Sequence, residues 1–415
     1  MRVDAIVLGA GIVGVSIAIH LVRRGRDVVL VDRQDPGEGT SRGNAGLIQR
    51  EGVLPVPFPQ NPLHILKYGL NTSLDMRYHL RALPSLLPYL ARYYLASRAD
   101  SYQAIVRDYA PFIAHSVSEH ADLVDAAGAG ELIVRTGWLE AYRTPSTFEE
   151  GQAEADWLAS AYGIVHETLD VTGLHDLEPD LRGGLVGAIH WKEPWTVRSP
   201  LELTRAYIRY FQQLGGRFLQ GDASTLTQDG THGWSMTTAA GTITARDAVL
   251  ALGPWTGDVT RRLGYRIPFA VQRGYSMHYR PEVAGTPRHW IADRDRGFLL
   301  APMAQGIRLT TGAEFAFRDA PKTPVQLDLT ERAARQLYAL GERLDPEPWM
   351  GARPCIADMK PVIGPAPRHA GLWLAFGHAH HGLTLGPATG RLLAELMTGA
   401  APFVDAAPLS CTRFG

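Results

Sequence analysis

Three glycines near the N-terminus have the spacing of a phosphate-binding turn. They lie in the run Gly9-Ala10-Gly11-Ile12-Val13-Gly14, which follows the pattern Gly-x-Gly-x-x-Gly. In such a run Gly9 permits a tight turn, Gly11 lets the backbone approach a pyrophosphate, and Gly14 lets the next helix pack closely on the preceding strand. The N-terminus of that helix offers free N–H groups to the phosphates. The run therefore predicts binding of a dinucleotide.

An arginine and three histidines near the C-terminus are a second set of residues suited to chemistry. In a water-poor cavity the guanidinium of Arg353 could hold a substrate carboxylate by two hydrogen bonds, and a surface ion pair is the alternative. His378, His380 and His381 lie in one short loop without a cysteine or carboxylate at ligand spacing. We therefore expect no metal there. Hydrogen bonds to a ring or a substrate are the expectation, with one or two of these histidines merely packed.

The elements around the glycine run must hold it at the edge of a sheet. Ala5 to Leu8 and Val28 to Val31 are apolar runs typical of buried parallel strands, and Val15 to Arg24 between them has helical periodicity. The second strand ends at Asp32, which is placed to accept hydrogen bonds from ribose hydroxyls. This order indicates a dinucleotide site, and a purely structural unit of the same kind is the alternative.

The small residues from Thr40 to Gly46 follow this unit directly. Their backbone amides could line the rest of an extended cofactor, and an ordinary surface loop is the alternative. NAD and FAD share the same ADP half, so these residues leave the choice between them open.

The C-terminal histidines lie between a predicted strand and a predicted helix. The strand is Leu372 to Phe376, and the helix runs from Pro387 to Met397 with proline at its start. The positive N-terminus of this helix suits the negative charge of a reduced flavin. Ala248 to Leu252, followed by Gly253-Pro254-Trp255, is expected to return to the first sheet.

The middle of the chain is expected to cover the cofactor. Val53 to Leu95 is rich in proline, leucine and aromatic residues, which predicts short helices that form a cap or a peripheral membrane contact. Ala104 to Ala126 is predicted as one amphipathic helix. Strand-like runs between Ile267 and Thr311, among them Tyr275 to Tyr279, predict an antiparallel sheet in a second domain.

The composition favours a folded protein of two domains. The chain has 415 residues, more than one ordinary core holds, with 45% hydrophobic and 20% charged residues. A formal net charge of −1 supplies no field that would gather a polyanion, so we expect no nucleic acid partner. Cys355 and Cys411 form no disulfide framework. Neither a signal peptide nor an apolar run of about 20 residues is visible, which predicts a cytoplasmic protein.

With these segments identified, the chain resembles the D-amino-acid oxidase and glycine oxidase superfamily, and most closely its D-amino-acid dehydrogenase branch. The resemblance runs nearly end to end and implies FAD rather than NAD. It implies an α/β fold, with a Rossmann-like FAD-binding domain of glutathione-reductase type and a second α+β substrate domain built on an antiparallel sheet. The segments that carry it are 9–14, Asp32-Arg33, 41–46, 251–255, 273–276 and 351–390. We expect the FAD-binding domain to comprise 1–50, 199–262 and 345–415, and the substrate domain 51–198 and 263–344.

The resemblance also implies roles for single residues. Arg353 anchors a substrate carboxylate, and Tyr275, His380 and His381 are the further candidate substrate-binding residues. His380 stands where glycine oxidase-like members carry an arginine, which leaves the substrate preference open. Cys355 lies near, but not at, the position at which sarcosine oxidase-like members attach their flavin, so noncovalent FAD is expected. The implied FAD-binding residues are Gly9, Gly11, Ile12, Val13, Gly14, Asp32, Arg33, Ser41, Arg42, Asn44, Ala45, Gly46, Leu47, Gly253, Trp255, Gly382, Leu383 and Thr384.

The resulting hypothesis is the oxidative deamination of a small D-amino acid, with hydride passing from Cα to flavin N5 and the imino acid hydrolysing to a 2-oxo acid. Arg353 holds the carboxylate, no side chain need act as a strong general base, and His380 and Tyr275 are the candidate acceptors of the ammonium proton. Glycine or a secondary amine such as D-hydroxyproline, D-proline or sarcosine is the alternative substrate. A flavoprotein whose FAD serves structure or regulation is an alternative of another class. Oxygen, a quinone or a partner subunit accepts the electrons, and peripheral contact with the inner membrane is compatible with the sequence.

Overall fold

The computed structural model describes residues 1–230, 233–282 and 285–415. The strands are β1 (Arg2–Leu8), β2 (Val28–Asp32), β3 (Leu47–Ile48), β4 (Met76–Tyr78), β5 (Ile133–Val134), β6 (Trp138–Tyr142), β7 (His166–Asp170), β8 (Gly187–Trp191), β9 (Trp195–Val197), β10 (Arg217–Gln220), β11 (Thr227–Asp229), β12 (Gly233–Thr238), β13 (Gly241–Leu250), β14 (Phe269–Pro281), β15 (Trp290–Asp293), β16 (Phe298–Met303), β17 (Gly306–Thr310), β18 (Ala313–Phe315), β19 (Leu340–Arg343), β20 (Trp349–Ile356), β21 (Val362–Pro365) and β22 (Leu372–Phe376). The helices are α1 (Ile12–Val22), α2 (Pro62–Gly69), α3 (Leu83–Ala96), α4 (Ala99–Ile113), α5 (Ser116–Ala126), α6 (Pro145–Tyr162), α7 (Val171–Leu177), α8 (Pro200–Gln213), α9 (Thr256–Arg262), α10 (Val325–Leu337) and α11 (Gly382–Thr398).

Parallel strands in the order β10, β2, β1, β13, β22 form the centre of one sheet. Strands β1, β2 and β22 are mostly apolar and mostly buried, as expected for parallel strands inside a sheet. Strand β13 is longer than the sequence suggests, since its first half pairs with β12 and its last residues pair with β22. The Rossmann-like sheet predicted from the sequence is confirmed.

A second, mostly antiparallel sheet surrounds the long strand β14. This strand pairs with β17, β18, β19 and β20, and the sheet continues through β16 and β15 to β6, β8 and β7. The predicted α/β class with a second antiparallel sheet is therefore confirmed. Strand β20 falls inside the range 345–415 that we assigned to the FAD-binding domain, yet it pairs along β14 of the second sheet. The domain boundaries themselves remain a prediction.

Two predicted helices have different limits in the structure. Helix α11 begins at Gly382, so Pro387 lies inside it and not at its start. Proline has no N–H for the carbonyl of Leu383 four residues earlier, and the His120 side chain donates to that carbonyl instead, at 2.7 Å. The single helix predicted from Ala104 to Ala126 is divided into α4 and α5 at residues 114–115.

Helix α11 packs closely against α1, and this contact brings their N-termini together. A Cβ at Gly390 would lie 2.7 Å from the carbonyl oxygen of Ser16 on α1, and a Cβ at Gly386 would lie 3.2 Å from the Ile12 side chain. Glycine on this face allows the close approach. Both helix N-termini therefore lie at the same edge of the first sheet.

Candidate active site

The dinucleotide end of the site is a cavity of about 370 Å³ beyond the carboxyl ends of β1, β2 and β13. Gly9 has φ +108°, and a Cβ there would lie 2.3 Å from the carbonyl oxygen of Ala251. A Cβ at Gly14 would lie 1.8 Å from the carbonyl oxygen of Gly9. Both positions therefore require glycine, the first for its turn and the second for close packing of helix on strand.

Asp32 fixes the glycine turn in addition to lining this cavity. Its Oδ2 accepts a hydrogen bond from the Ala10 N–H at 2.8 Å, and its Oδ1 accepts one from the Gln34 N–H at 3.0 Å. Each carboxylate oxygen accepts more than one hydrogen bond. The predicted contact with a ribose is therefore compatible with this second role.

The N-terminus of α1 faces the same cavity. Its N-cap, Gly11, has no side chain, and the first turn contains no acidic residue. The Ser41 hydroxyl accepts a hydrogen bond from the Ile12 N–H at 3.0 Å, which connects the segment after β2 to the helix start. The positive end of the helix dipole is left to attract an anion. The residues present thus fit the pyrophosphate of FAD.

Most of the predicted FAD-binding residues line one of two adjoining cavities. Those at the first cavity are Gly9, Gly11, Ile12, Val13, Asp32, Arg33, Ser41, Asn44, Gly253, Trp255, Gly382 and Leu383. Asn44 also lines the second cavity, together with Ala45 and Leu47. The guanidinium carbon of Arg33 lies 4.7 Å from the ring centroid of Trp255, a cation–π contact in the wall of the first cavity.

The other four predicted residues, Gly14, Arg42, Gly46 and Thr384, line neither cavity. Gly14 acts through the packing described above, and the Thr384 hydroxyl donates to the Leu47 carbonyl at 3.1 Å. Arg42 is exposed and donates to Glu38 at 2.8 Å. A direct contact between Arg42 and FAD therefore has no support in the structure, because this side chain points to solvent.

The sequence analysis missed Asp222, Ser224 and Arg262, which line the first cavity. Asp222 and Ser224 follow the end of β10, and Arg262 ends α9. Ligands of open parallel sheets bind beyond the carboxyl ends of the strands. Applied to residues 217–220, which form β10, this rule would have pointed to the first two of them.

A second cavity, of about 900 Å³, adjoins the first. Thr40, Asn44, His378 and Ala379 line both. Its walls come from the second sheet, from the segment that contains α2 and α3, and from the loop between β22 and α11. An elongated cofactor in the first cavity would thus present its distant end to the second.

Arg353 is an uncompensated cation in the wall of the second cavity. Its guanidinium donates to the carbonyls of Gly312 at 2.8 Å and Thr311 at 3.2 Å. No carboxylate within the described residues forms an ion pair with it, and burial lowers the pKa of Arg353. A Cβ at Gly274 would lie 2.6 Å from its Nη2, so glycine there makes room for the guanidinium. The predicted anchor is placed to receive an anion.

Strand β20 holds the histidine loop next to Arg353. The Ala379 N–H donates to the Pro354 carbonyl at 2.9 Å, and His378 pairs with Cys355 in an isolated bridge. Ala379 has φ +50°, a strained conformation for a residue with a side chain, and such strain concentrates at functional sites.

Desolvation keeps all three histidines neutral, and the contacts of the three rings differ. His378 is buried and shares a 2.9 Å hydrogen bond with the Thr389 hydroxyl, and burial lowers its pKa to about 3. His381 shares a 2.7 Å bond with the Tyr109 hydroxyl, and burial lowers its pKa well below the usual value. His380 lines the second cavity, and desolvation there, together with the charge of Arg353, lowers its pKa to about 4. His380 thus offers a neutral ring to a bound ligand.

Tyr275 lines the second cavity together with Arg353, but its hydroxyl is already hydrogen-bonded to other residues, which is a correction to its predicted role. This hydroxyl donates to Glu314 at 3.0 Å and accepts from the Thr323 N–H at 2.8 Å and from Arg273 at 3.0 Å. Neighbouring residues of a strand point to opposite faces, and Gly274, next to Tyr275, faces Arg353. Because its donor and acceptors are already used, we exclude Tyr275 from the proposed catalytic residues.

A buried polar chain that the sequence analysis missed reaches the loop beside the two cavities. Asp345 accepts from His278 Nδ1 at 2.8 Å, and His278 Nε2 accepts from Arg308 Nε at 3.0 Å. Arg308 in turn donates to the Asn44 carbonyl at 2.6 Å, and Trp290 donates to the Ala45 carbonyl at 2.8 Å. Because these bonds come from the second sheet, the second sheet fixes the position of a loop that follows the first.

Two further properties of the described residues bear on the site. They contain no group of three or more His, Cys, Asp or Glu side chains that could hold a metal ion. None of their helices is long and apolar enough to cross a bilayer.

Comparison with known proteins agrees with this geometry. Residues 4–396 match the family described as DAO, FAD dependent oxidoreductase. Similar proteins include a D-amino-acid oxidase of Bradyrhizobium diazoefficiens, 28% identical over 98% of each chain, and a D-amino acid dehydrogenase of Rhizobium johnstonii, 28% identical over 99% of each. The fold is also that of the crystal structure of glycine oxidase from Geobacillus kaustophilus, with a TM-score of 0.75, 22% identity and 99% of each chain covered. An oxidoreductase family speaks against a purely structural or regulatory role for FAD. The chain belongs to the DAO family of FAD-dependent oxidoreductases.

Proposed function

We propose that this enzyme oxidises a small D-amino acid to its imino acid, which then hydrolyses to a 2-oxo acid. The observation that carries the proposal is Arg353, a cation without an acid partner among the described residues, held by two backbone carbonyls in the wall of the second cavity. A buried charge without a partner is costly. A substrate carboxylate would remove that cost by forming a bidentate pair.

The neutral histidines complement this anchor. His380 has a pKa of about 4 and lies close enough to Arg353 for its charge to matter. A second cation beside Arg353 is disfavoured, so the substrate binds with a neutral amine and its proton passes to solvent. His380 orients that amine by accepting a hydrogen bond, and no strong general base is required.

FAD, when bound, supplies the two-electron acceptor for the hydride of the α-carbon. We propose that it is held without a covalent bond. Burial raises the pKa of Cys355 in the second cavity to about 12, so its thiol stays protonated and is a poor nucleophile. Denaturation in acid should therefore release all of the flavin into the soluble fraction. Flavin that remains with the precipitated chain would contradict noncovalent binding.

The test of the proposed function is anaerobic reduction of the yellow holoprotein. We expect D-alanine or another small D-amino acid to bleach the flavin absorbance near 450 nm, and the matching L-amino acid to bleach it far more slowly. Failure of every amino acid and secondary amine to bleach the flavin would contradict the proposal.

Glycine or a secondary amine such as D-proline, D-hydroxyproline or sarcosine is the second candidate. The observation in its favour is the size of the second cavity, about 900 Å³, which accommodates cyclic and N-substituted amines. The same bleaching experiment separates the two candidates, since faster reduction by the secondary amines would favour the second.

Three kinds of electron acceptor are compatible with the proposed reaction. Oxygen, a quinone and a partner subunit are the candidate acceptors, and turnover in air compared with turnover on a soluble quinone separates the first two.

We propose a cytoplasmic location with peripheral contact at the inner membrane, because the helices over the second cavity expose apolar side chains.

A further inference from the structure

Exposed apolar residues are concentrated on one segment of the chain. Of the 17 large apolar residues that are exposed among the described residues, nine lie between positions 56 and 95. Single exposed apolar residues are ordinary, but a contiguous group marks an interaction surface. The nine residues are Val56, Leu63, Ile65, Leu66, Leu70, Leu80, Leu87, Tyr94 and Leu95.

Seven of these nine residues lie on α2, its C-cap and α3, two helices that line the second cavity. Leu63, Leu66 and Leu70 share one face of α2 and its C-cap, and α2 buries none of its residues. On α3, Leu87 and Tyr94 lie two turns apart on the outer face. The same helices also line the cavity, through Ile65, Tyr68, Tyr89 and Tyr93.

The charge of this segment is opposite to that of the rest of the chain. Residues 56–98 contain five basic residues and one acid, Asp75, which is hydrogen-bonded to Tyr68. The remaining residues therefore contain 36 basic and 41 acidic side chains out of totals of 41 and 42. Lys67, Arg81, Arg92 and Arg98 are exposed, and none of them forms an ion pair with another described residue. The α2–α3 surface, residues 56–98, is thus apolar and basic.

An apolar surface with unpaired cations fits an anionic bilayer better than a second copy of the chain. In a twofold symmetric dimer each surface faces its own copy, so these cations would face one another. On a bilayer the leucines enter the acyl boundary, and the cations contact anionic headgroups.

We propose that the α2–α3 surface docks this enzyme on a membrane of anionic phospholipid, with the second cavity behind the docked helices. This surface supplies the residues, and anionic lipid the partner, for the peripheral location proposed above. It does not depend on which amine is oxidised, because binding to lipid is measured without a substrate.

The test is sedimentation of the holoenzyme with vesicles. We expect binding to vesicles that contain phosphatidylglycerol, much weaker binding to pure phosphatidylcholine, and release by 0.5 M NaCl. The double variant Leu63→Gln/Leu66→Gln should bind at least about tenfold more weakly, because its outer stripe no longer partitions into the bilayer. The matched pair Trp157→Gln/Val171→Gln, exposed apolar residues elsewhere, should bind like the unchanged protein.

Lipid binding and amine oxidation can fail independently, so the experiment tests the membrane proposal separately from the proposed function. Both double variants should keep their FAD and their turnover with a soluble acceptor, since none of the four residues lines either cavity. No sedimentation with either lipid would overturn the membrane proposal, and so would an equal loss of binding in the two pairs. A dimer in solution that the Leu63→Gln/Leu66→Gln variant dissociates would assign the surface to a second copy and would also overturn it.

Discussion

The two adjoining cavities, one at the dinucleotide end and one at the proposed substrate end, are assembled in different ways. At the dinucleotide end, the turn at Gly9, the start of α1 and Asp32 all come from the first 32 residues. At the substrate end, Arg353 comes from β20, its carbonyl partners follow β17, and His380 precedes α11. The dinucleotide end is a local unit, so substitutions that change its backbone conformation should damage it most. The other end is assembled from distant segments, so the loss of a single side chain should damage it most.

The largest effect is expected for Gly9→Ala at the dinucleotide end. The new Cβ would meet the Ala251 carbonyl at 2.3 Å in a backbone of φ +108°, so the turn must rearrange. We expect FAD affinity to fall at least about 100-fold, measured by flavin content and titration. The control is Gly25→Ala, also at positive φ but with no atom within 4 Å of its Cβ. It should lose only about 1 kcal/mol of stability and keep its FAD.

Arg353→Met should leave the dinucleotide end intact while damaging the substrate end. Losing one partner of a buried charge pair costs about 3 kcal/mol, which is about 100-fold in kcat/KM. We expect most of this change in KM, with normal flavin content, and partial recovery in Arg353→Lys. Arg209→Met, an exposed arginine of α8, is the control. An unchanged KM in Arg353→Met would show that another residue holds the carboxylate.

His120 connects the two ends through the start of α11, and its burial predicts a pH effect. Burial lowers its pKa to about 4, while the unfolded chain takes up the proton near pH 6.5. The free energy of unfolding therefore falls as pH drops through this window, by about 2 kcal/mol from His120 between pH 7 and pH 5. Urea unfolding of His120→Asn should lack this increment of pH dependence. Exposed His175→Asn should retain it, and equal slopes for both variants would refute the assignment.

The smallest effect is expected for the polar chain that joins the ends. Arg308→Met removes the bond to the Asn44 carbonyl, which costs about 1 kcal/mol and should weaken FAD binding about fivefold to tenfold. Arg308→Lys should recover part of this affinity. An affinity equal to that of the unchanged protein in both variants would mean that the second sheet does not fix the loop.

The sequence alone was sufficient where a function depends on neighbours along the chain. The glycine turn, α1 and Asp32 follow from spacing, because local conformation determines them. The start of α11 did not follow from local rules, since Pro387 suggested a helix start while His120, far away in sequence, satisfies the carbonyl that the proline leaves free. Tyr275 was assigned the wrong role because no local pattern shows that Arg273, Glu314 and Thr323 occupy its hydroxyl. Arg308 and His278 are joined by strand pairing and have no spacing to reveal them.

The most direct test of the central claim compares a substrate that has a carboxylate with one that lacks it. Anaerobic flavin reduction by D-alanine and by ethylamine should be measured in the unchanged protein and in Arg353→Met. The account predicts that D-alanine is the far better reductant of the unchanged protein, and that this preference falls about 100-fold in the variant. A preference for D-alanine that survives the loss of Arg353 would contradict the account.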